Sequence, residues 1–274
     1  MERITTNGLN MPKIGLGTSP MKGAECTAAV QSALGVGYRH IDTAEMYANE
    51  AEVGEGLANS GVARGDVHVT SKVHPTHLRP DQMQEAIERS LKALRTDYVD
   101  LYLIHWPAPD MDLPASVAKL VSFKESGLAR AVGVSNFPVA LMEQAVATGA
   151  PIACNQVEYH ALLGQTRVLD YARGHGIAVT AYSPLGRNLL TSYPQLAAIG
   201  EKHGASAAQV AIKWLYDQAG VVAIPKASRP ENQKKNLQAL DLELDDEDRA
   251  AITALPKDQR QIRPSWQPAW DPPG

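Results

Sequence analysis

Val67-His-Val-Thr-Ser-Lys72, then Pro80–Leu94, then Val99-Asp-Leu-Tyr-Leu-Ile-His105 is the stretch from which the fold can be read. The outer two runs are apolar and of strand length. Between them Met83, Ile87, Leu91 and Leu94 recur at helical spacing, so the unit reads strand, helix, strand. The same alternation continues in both directions. Strand-like runs stand at Ile14–Thr18, Tyr38–Asp42, Val67–Lys72, Val99–His105, Ala131–Val134, Ile152–Gln156, Ile177–Tyr182 and Val221–Pro225. Eight alternations favour a closed parallel barrel over an open sheet. The expected class is α/β, a (β/α)8 TIM barrel, with residues 1–274 as one domain. Ile4–Pro12 carries an Asn-Gly turn between two short apolar pieces, which predicts a β-hairpin ahead of the barrel. There is no internal repeat. The tail from Lys257 to Gly274, with four prolines and Trp266 and Trp270 but no period, reads as a structured flap or a loose end.

Bulk properties narrow the function classes. The chain has 274 residues, 44% of them hydrophobic, enough to bury a full core. A formal charge of -4 leaves no basic excess for a phosphate backbone, so no nucleic-acid partner is expected. The N-terminus has no apolar leader region and no later run is long enough to span a bilayer. A cytoplasmic protein without membrane contact, and a monomer, is the expectation. Cys26 and Cys154 lie far apart in no metal-ligand spacing, which predicts reduced, buried packing residues rather than a disulfide or a zinc site.

In a barrel of parallel strands the catalytic mouth lies at the C-terminal strand ends. Four ionisable groups collect there: Asp42 and Tyr47 after the second run, Lys72 at the end of the third, His105 at the end of the fourth. Each alone has an ordinary reading, Asp42 and Lys72 as a structural ion pair, Tyr47 as a loop tyrosine, His105 as a satisfied core histidine. Together, at successive strand ends, they read as a site. A phenol with a pKa of about 10 is a reluctant acid at neutral pH. A nearby Lys72 would stabilise the phenolate and lower that pKa, Asp42 would hold the ammonium, and His105 would orient a carbonyl oxygen. Lys72 could instead be a Schiff-base nucleophile, but Asp42 favours the charged, non-nucleophilic amine.

The chain resembles the aldo-keto reductase superfamily. The resemblance rests on Gly35-Val-Gly-Tyr-Arg-His-Ile-Asp-Thr-Ala44, Tyr47 with Asn49-Glu50, Thr96-Asp-Tyr-Val-Asp-Leu101, Ile104-His-Trp-Pro107, Gly133-Val-Ser-Asn-Phe137, Asn155-Gln156, Ala181-Tyr-Ser-Pro-Leu185 and Ile224-Pro-Lys226. Within it the chain is most similar to short bacterial members that act as 2,5-diketo-gluconate and methylglyoxal reductases. The resemblance implies reduction of a small aldehyde, ketone or α-dicarbonyl, with Tyr47 as proton donor, Lys72 and Asp42 as its tuning pair and His105 orienting the carbonyl. The same fold also resembles channel-associated β-subunits and some lens crystallins. That makes a cofactor-binding regulatory or structural protein the alternative.

The cofactor follows only from the resemblance. Gly15-Leu-Gly-Thr-Ser-Pro20 begins like a dinucleotide fingerprint but ends in proline, and Gly133–Phe137 lacks the final glycine of a nucleophile elbow. The resemblance implies NADPH, with NADH as the alternative. The carboxamide falls to Ser135, Asn136 and Gln156, the nicotinamide face to Tyr182, and the pyrophosphate to Ser183 and Leu185. The 2′-phosphate end falls to Lys226, Ala227, Ser228, Arg229, Asn232 and Asn236, where the start of a helix offers free N–H groups. Ala227 and Asn232 depart from the serine and arginine of many NADPH-preferring relatives, and Arg229 stands nearby as a substitute. On the substrate side the expected residues are Ser19, Tyr47, His74, His105 and Trp106, with Trp266 and Trp270 from the C-terminal tail, which the resemblance implies folds over the barrel mouth. Ser19 and His74 replace aromatic residues common in relatives, which implies a more polar, open pocket. His74 and His77 read as loop histidines, since no third metal ligand is evident.

Overall fold

The computed structural model describes residues 1–272, so Pro273 and Gly274 of the tail lie outside the described residues. Strands β1 (Arg3–Thr6) and β2 (Leu9–Pro12) form the predicted hairpin, paired Thr6 to Leu9 across a turn in which Asn7 and Gly8 both have positive φ. That is the backbone an Asn-Gly pair adopts at least cost. Leu9 and Met11 are buried among Leu101, Leu103, Ala153 and Val222, so the hairpin plugs one end of the barrel.

The barrel strands are β3 (Leu16–Gly17), β4 (His40–Asp42), β5 (His68–Val73), β6 (Val99–Ile104), β7 (Ala129–Ser135), β8 (Ile152–Glu158), β9 (Ala178–Tyr182) and β10 (Val221–Ala223). They pair in parallel in sequence order. The ring closes where Ile14 bridges Ala223 and Gly15 donates its N–H to the Ala223 carbonyl at 2.9 Å. Gly17 permits that closure, since a Cβ there would meet the Ile224 carbonyl oxygen at 2.7 Å. Every residue of β5 and β8 is buried, as expected of parallel strands covered on both faces. All eight expected runs are strands. β3 and β10 are shorter than their apolar runs because closure there is carried by a single bridge and a few hydrogen bonds.

The helix Pro80–Leu94 starts with Pro80 in its first turn and ends at left-handed Arg95. It buries Met83, Ala86, Ile87, Leu91 and Leu94 toward the barrel. Between β9 and β10 the chain inserts a kinked turn, Gly186–Ser192, and two helices, Pro194–Lys202 and Ala207–Tyr216. Cys26 and Cys154 are both buried and unpaired. Among the described residues, no helix is long and apolar enough to cross a membrane.

Candidate active site

Asp42, Lys72, His105 and Tyr47 converge at the C-terminal end of β4, β5 and β6. Asp42 ends β4, and the chain then makes a single 3-10 turn, Glu45–Tyr47, before left-handed Ala48. Buried Asn49 holds this turn: its amide donates to the Met21 carbonyl at 3.0 Å and its oxygen accepts from the Thr43 hydroxyl at 2.7 Å. Tyr47 is thereby turned back over the barrel.

Lys72 is fully buried and uses all three of its N–H bonds. They go to Asp42 Oδ1 at 2.6 Å, the Thr43 carbonyl at 2.8 Å and the Tyr47 hydroxyl at 3.4 Å. Burial works against the ammonium, but Asp42 and Tyr47 outweigh it, so the Lys72 pKa lies above its ordinary value. Burial also dominates at Tyr47 and raises the phenol pKa, against the downward pull of Lys72. The expected effect of Lys72 has the right sign but does not prevail. His105 faces Tyr47 edge-on, ring centroids 5.3 Å apart. Burial, then Lys72 and His74, hold its pKa well below the usual range, so the imidazole is neutral. Its Nδ1 is buried without a partner.

These groups open onto a cleft of about 580 Å³. Asp42, Tyr47 and His105 line its floor, Ser19, Trp106 and Tyr182 its sides, and Ser183, Leu185 and Lys226 its far end. Asn136, which lines the cleft, belongs to a connected hydrogen-bond network with Ser135 and Gln156. Ser135 Oγ donates to the Gln156 carbonyl at 2.8 Å, and the Asn136 amide donates to Ser135 Oγ and to the His105 carbonyl, both at 3.0 Å. The Tyr182 hydroxyl donates to Asn136 Oδ1 at 2.8 Å, and Gln156 donates to Asp42 Oδ2 at 2.7 Å. Asn136 holds this place with a positive φ.

At the far end Arg229 is exposed at the N-cap of the helix Pro230–Gln238, Ala227 and Asn236 are buried, and Ser228 and Asn232 are half-exposed. The Lys226 ammonium is exposed, donating to Ser228 Oγ at 3.3 Å and standing 3.8 Å from Glu25. The residues fit an elongated anionic nucleotide with a flat head. Arg187 and Lys226 are the lining cations, whereas the one lining carboxylate, Asp42, is already paired with Lys72.

Other expected residues are placed differently. His74 does not line the cleft. Its Nδ1 is 2.7 Å from the Thr76 hydroxyl and its backbone N–H donates to Glu45 at 2.8 Å. Trp266 and Trp270 act at one remove, both packed edge-on against Trp106 at 5.3 and 6.0 Å. Reading the sequence missed Met46, Arg187, Asn188 and Ile262, all of which line the cleft. Arg187 had a usable signal, a cation two residues past the Ala181–Leu185 motif; Ile262 had none.

Known proteins agree with this architecture. The aldo/keto reductase family model matches residues 12–257. Methylglyoxal reductase DkgB of Salmonella typhi is 42% identical over 268 residues, 96% of this chain and 100% of that protein. A solved structure carrying the provisional description 2,5-diketo-D-gluconic acid reductase B superposes with a TM-score of 0.97 at 40% identity, covering 99% of this chain and 98% of the other. The aldose reductase of Schistosoma japonicum superposes with a TM-score of 0.91 at 33% identity, covering 96% and 94%.

Proposed function

Because the chain belongs to the aldo/keto reductase family, and is thus an oxidoreductase acting on small carbonyl compounds with a nicotinamide cofactor, we propose that it reduces small oxygen-rich aldehydes, ketones and α-dicarbonyls such as methylglyoxal and keto-sugars, with NADPH as the preferred cofactor. The observation that carries this reading is the approach of Lys72 to the Tyr47 hydroxyl on the floor of a cleft that a neutral His105 shares.

The cofactor supplies the hydride. Burial keeps Tyr47 protonated at rest, the state a proton donor needs, and Tyr47 passes that proton to the carbonyl oxygen as negative charge develops there. Lys72 stabilises the phenolate left behind, so its attraction is worth most in the transition state. Asp42 keeps Lys72 charged and thus unsuited to attack a carbonyl. His105, neutral, offers an N–H that orients the oxygen without competing as the acid. Ser135, Asn136 and Gln156 would hold the carboxamide, the Tyr182 ring would cover the nicotinamide, and Lys226 with Arg229 would meet the 2′-phosphate. Residues Ser183 and Leu185 would hold the pyrophosphate.

Steady-state oxidation of NADPH with methylglyoxal, keto-sugars and aromatic aldehydes tests the reading, run beside Tyr47→Phe. Turnover of the variant should fall by about three orders of magnitude, as for loss of a positioned general acid, with NADPH affinity changed less than about twofold. Wild-type-like turnover in Tyr47→Phe would remove Tyr47 as the acid. No oxidation of NADPH or NADH by the native protein with any of these carbonyls would refute the function.

A further inference from the structure

Glu158 ends β8 and is fully buried. None of its hydrogen bonds goes to Asp42, Tyr47, Lys72 or His105. Its carboxylate instead accepts two successive backbone N–H bonds from the tail, Gln261 to Oε1 at 2.7 Å and Ile262 to Oε2 at 2.9 Å. The His160 Nε2 stands 3.2 Å from Oε1, and the Arg260 guanidinium 4.0 Å from Oε2. A buried carboxylate is costly unless donors satisfy it, and here the closest donors come from the tail. Two adjacent amides on one carboxylate also fix the direction of the chain, which side-chain contacts alone do not.

What that direction controls is visible at both ends of the segment. Ile262 lines the cleft. Arg260, one residue before the pair of amides, lies over the Trp270 ring at 3.7 Å, and Trp270 packs against Trp106, which also lines the cleft. We propose that Glu158 is a positioning residue for substrate selection: by fastening Gln261 and Ile262 it sets Ile262 as the closing wall of the cleft and braces Trp106 through Trp270, which limits the size of carbonyl admitted. The inference rests on the carbonyl-reductase reading above.

Two variants test it. Glu158→Gln keeps the shape but turns an NH2 toward a backbone donor; Gln261→Pro removes one of the two N–H groups at a part-exposed site and leaves Glu158 in place. Each should raise KM for methylglyoxal about tenfold and shift relative kcat/KM toward bulky aromatic aldehydes by a similar factor, with kcat within about threefold. The Kd for NADPH, read from quenching of tryptophan fluorescence, should stay within about twofold in each, and in Glu158→Gln tryptic cleavage after Arg260 should accelerate about tenfold as the segment opens; trypsin does not cut before a proline, so this readout belongs to Glu158→Gln alone. Unchanged KM and substrate ratio in both variants overturns the proposal. So does a joint loss of kcat, NADPH affinity and melting temperature, the signature of a merely structural residue. If Glu158→Gln does not fold, Gln261→Pro decides alone. A native protein that reduces no carbonyl overturns the reductase reading, and the selection role with it; unchanged variants of an active native protein overturn only the role of Glu158.

Discussion

Gln156 donates its side-chain N–H to Asp42 Oδ2 at 2.7 Å, while the other oxygen of that carboxylate holds Lys72. A residue expected at the nicotinamide carboxamide is therefore also the clamp that sets the plane of the Asp42 carboxylate. Both oxygens of buried Asp42 are satisfied only while Gln156 is present, and a hydrogen bond to a charged group is among the stronger ones.

Gln156→Leu should consequently lower kcat about tenfold or more as well as weaken NADPH, because Asp42 loses one donor and its hold on Lys72 loosens. Parallel measurement of single-turnover rate and NADPH Kd checks this. A variant that binds NADPH more weakly yet turns over at the native rate when saturated would mean that Gln156 serves the cofactor alone.

The proposed preference for NADPH assigns its extra phosphate to two exposed cations, Lys226 in the cleft lining and Arg229 three residues further along the chain. Arg229→Ala should weaken NADPH about tenfold and NADH less than about twofold, since only the former carries the extra phosphate. Fluorescence titration with both cofactors reads the ratio directly. Equal weakening would make Arg229 a structural cap of the helix Pro230–Gln238. Asn232→Arg should widen the ratio, its position lying in the first turn of that helix.

The barrel was legible because strands buried on both faces carry continuous apolar runs, and residues 101–104 of β6 and Val221–Ala223 are such runs. The convergence of Asp42, Tyr47, Lys72 and His105 was legible because strand ends in a barrel share one mouth. What escaped was set by tertiary placement. Ile262 enters the cleft from a segment with no period, held by Glu158 from a distant strand. Met46 and Arg187 stand on tight turns whose side-chain directions depend on backbone that spacing does not reveal. His74 follows Lys72 by two residues, but its backbone is drawn to Glu45 and its ring to Thr76. Spacing alone did not reveal these partners, which leave His74 outside the cleft lining.

Acid stability should expose the histidines inside the barrel. His40 and His68 meet edge to face at 4.8 Å; burial lowers His40 from 6.5 to about 4, and burial together with His40 lowers His68 well below its usual value. A folded pKa below the unfolded one means that the unfolded chain binds the proton first. Stability is then fully present above pH 6.5 and is lost as pH falls toward the folded value, with roughly 3 kcal/mol at stake for His40 alone by pH 4. Urea midpoints at pH 7.5, 6, 5 and 4 should decline through this window. His40→Leu should flatten the decline, and an identical slope in the variant would assign it to other groups.

Substrate range should respond to Ser19 and not to His74. Ser19 is exposed and lines the same cleft as Tyr47 and Trp106, whereas His74 lies outside the lining. Ser19→Trp adds an apolar face where a ring could pack, so relative kcat/KM for aromatic aldehydes over methylglyoxal should rise about tenfold. His74→Trp places the same side chain on a loop turned toward Thr76 and should move that ratio less than about twofold. The two variants, assayed with the same substrate pair, separate a wall from a neighbour of the wall. A larger response to His74→Trp than to Ser19→Trp would reverse the assignment and place the loop Val73–Leu78 at the substrate.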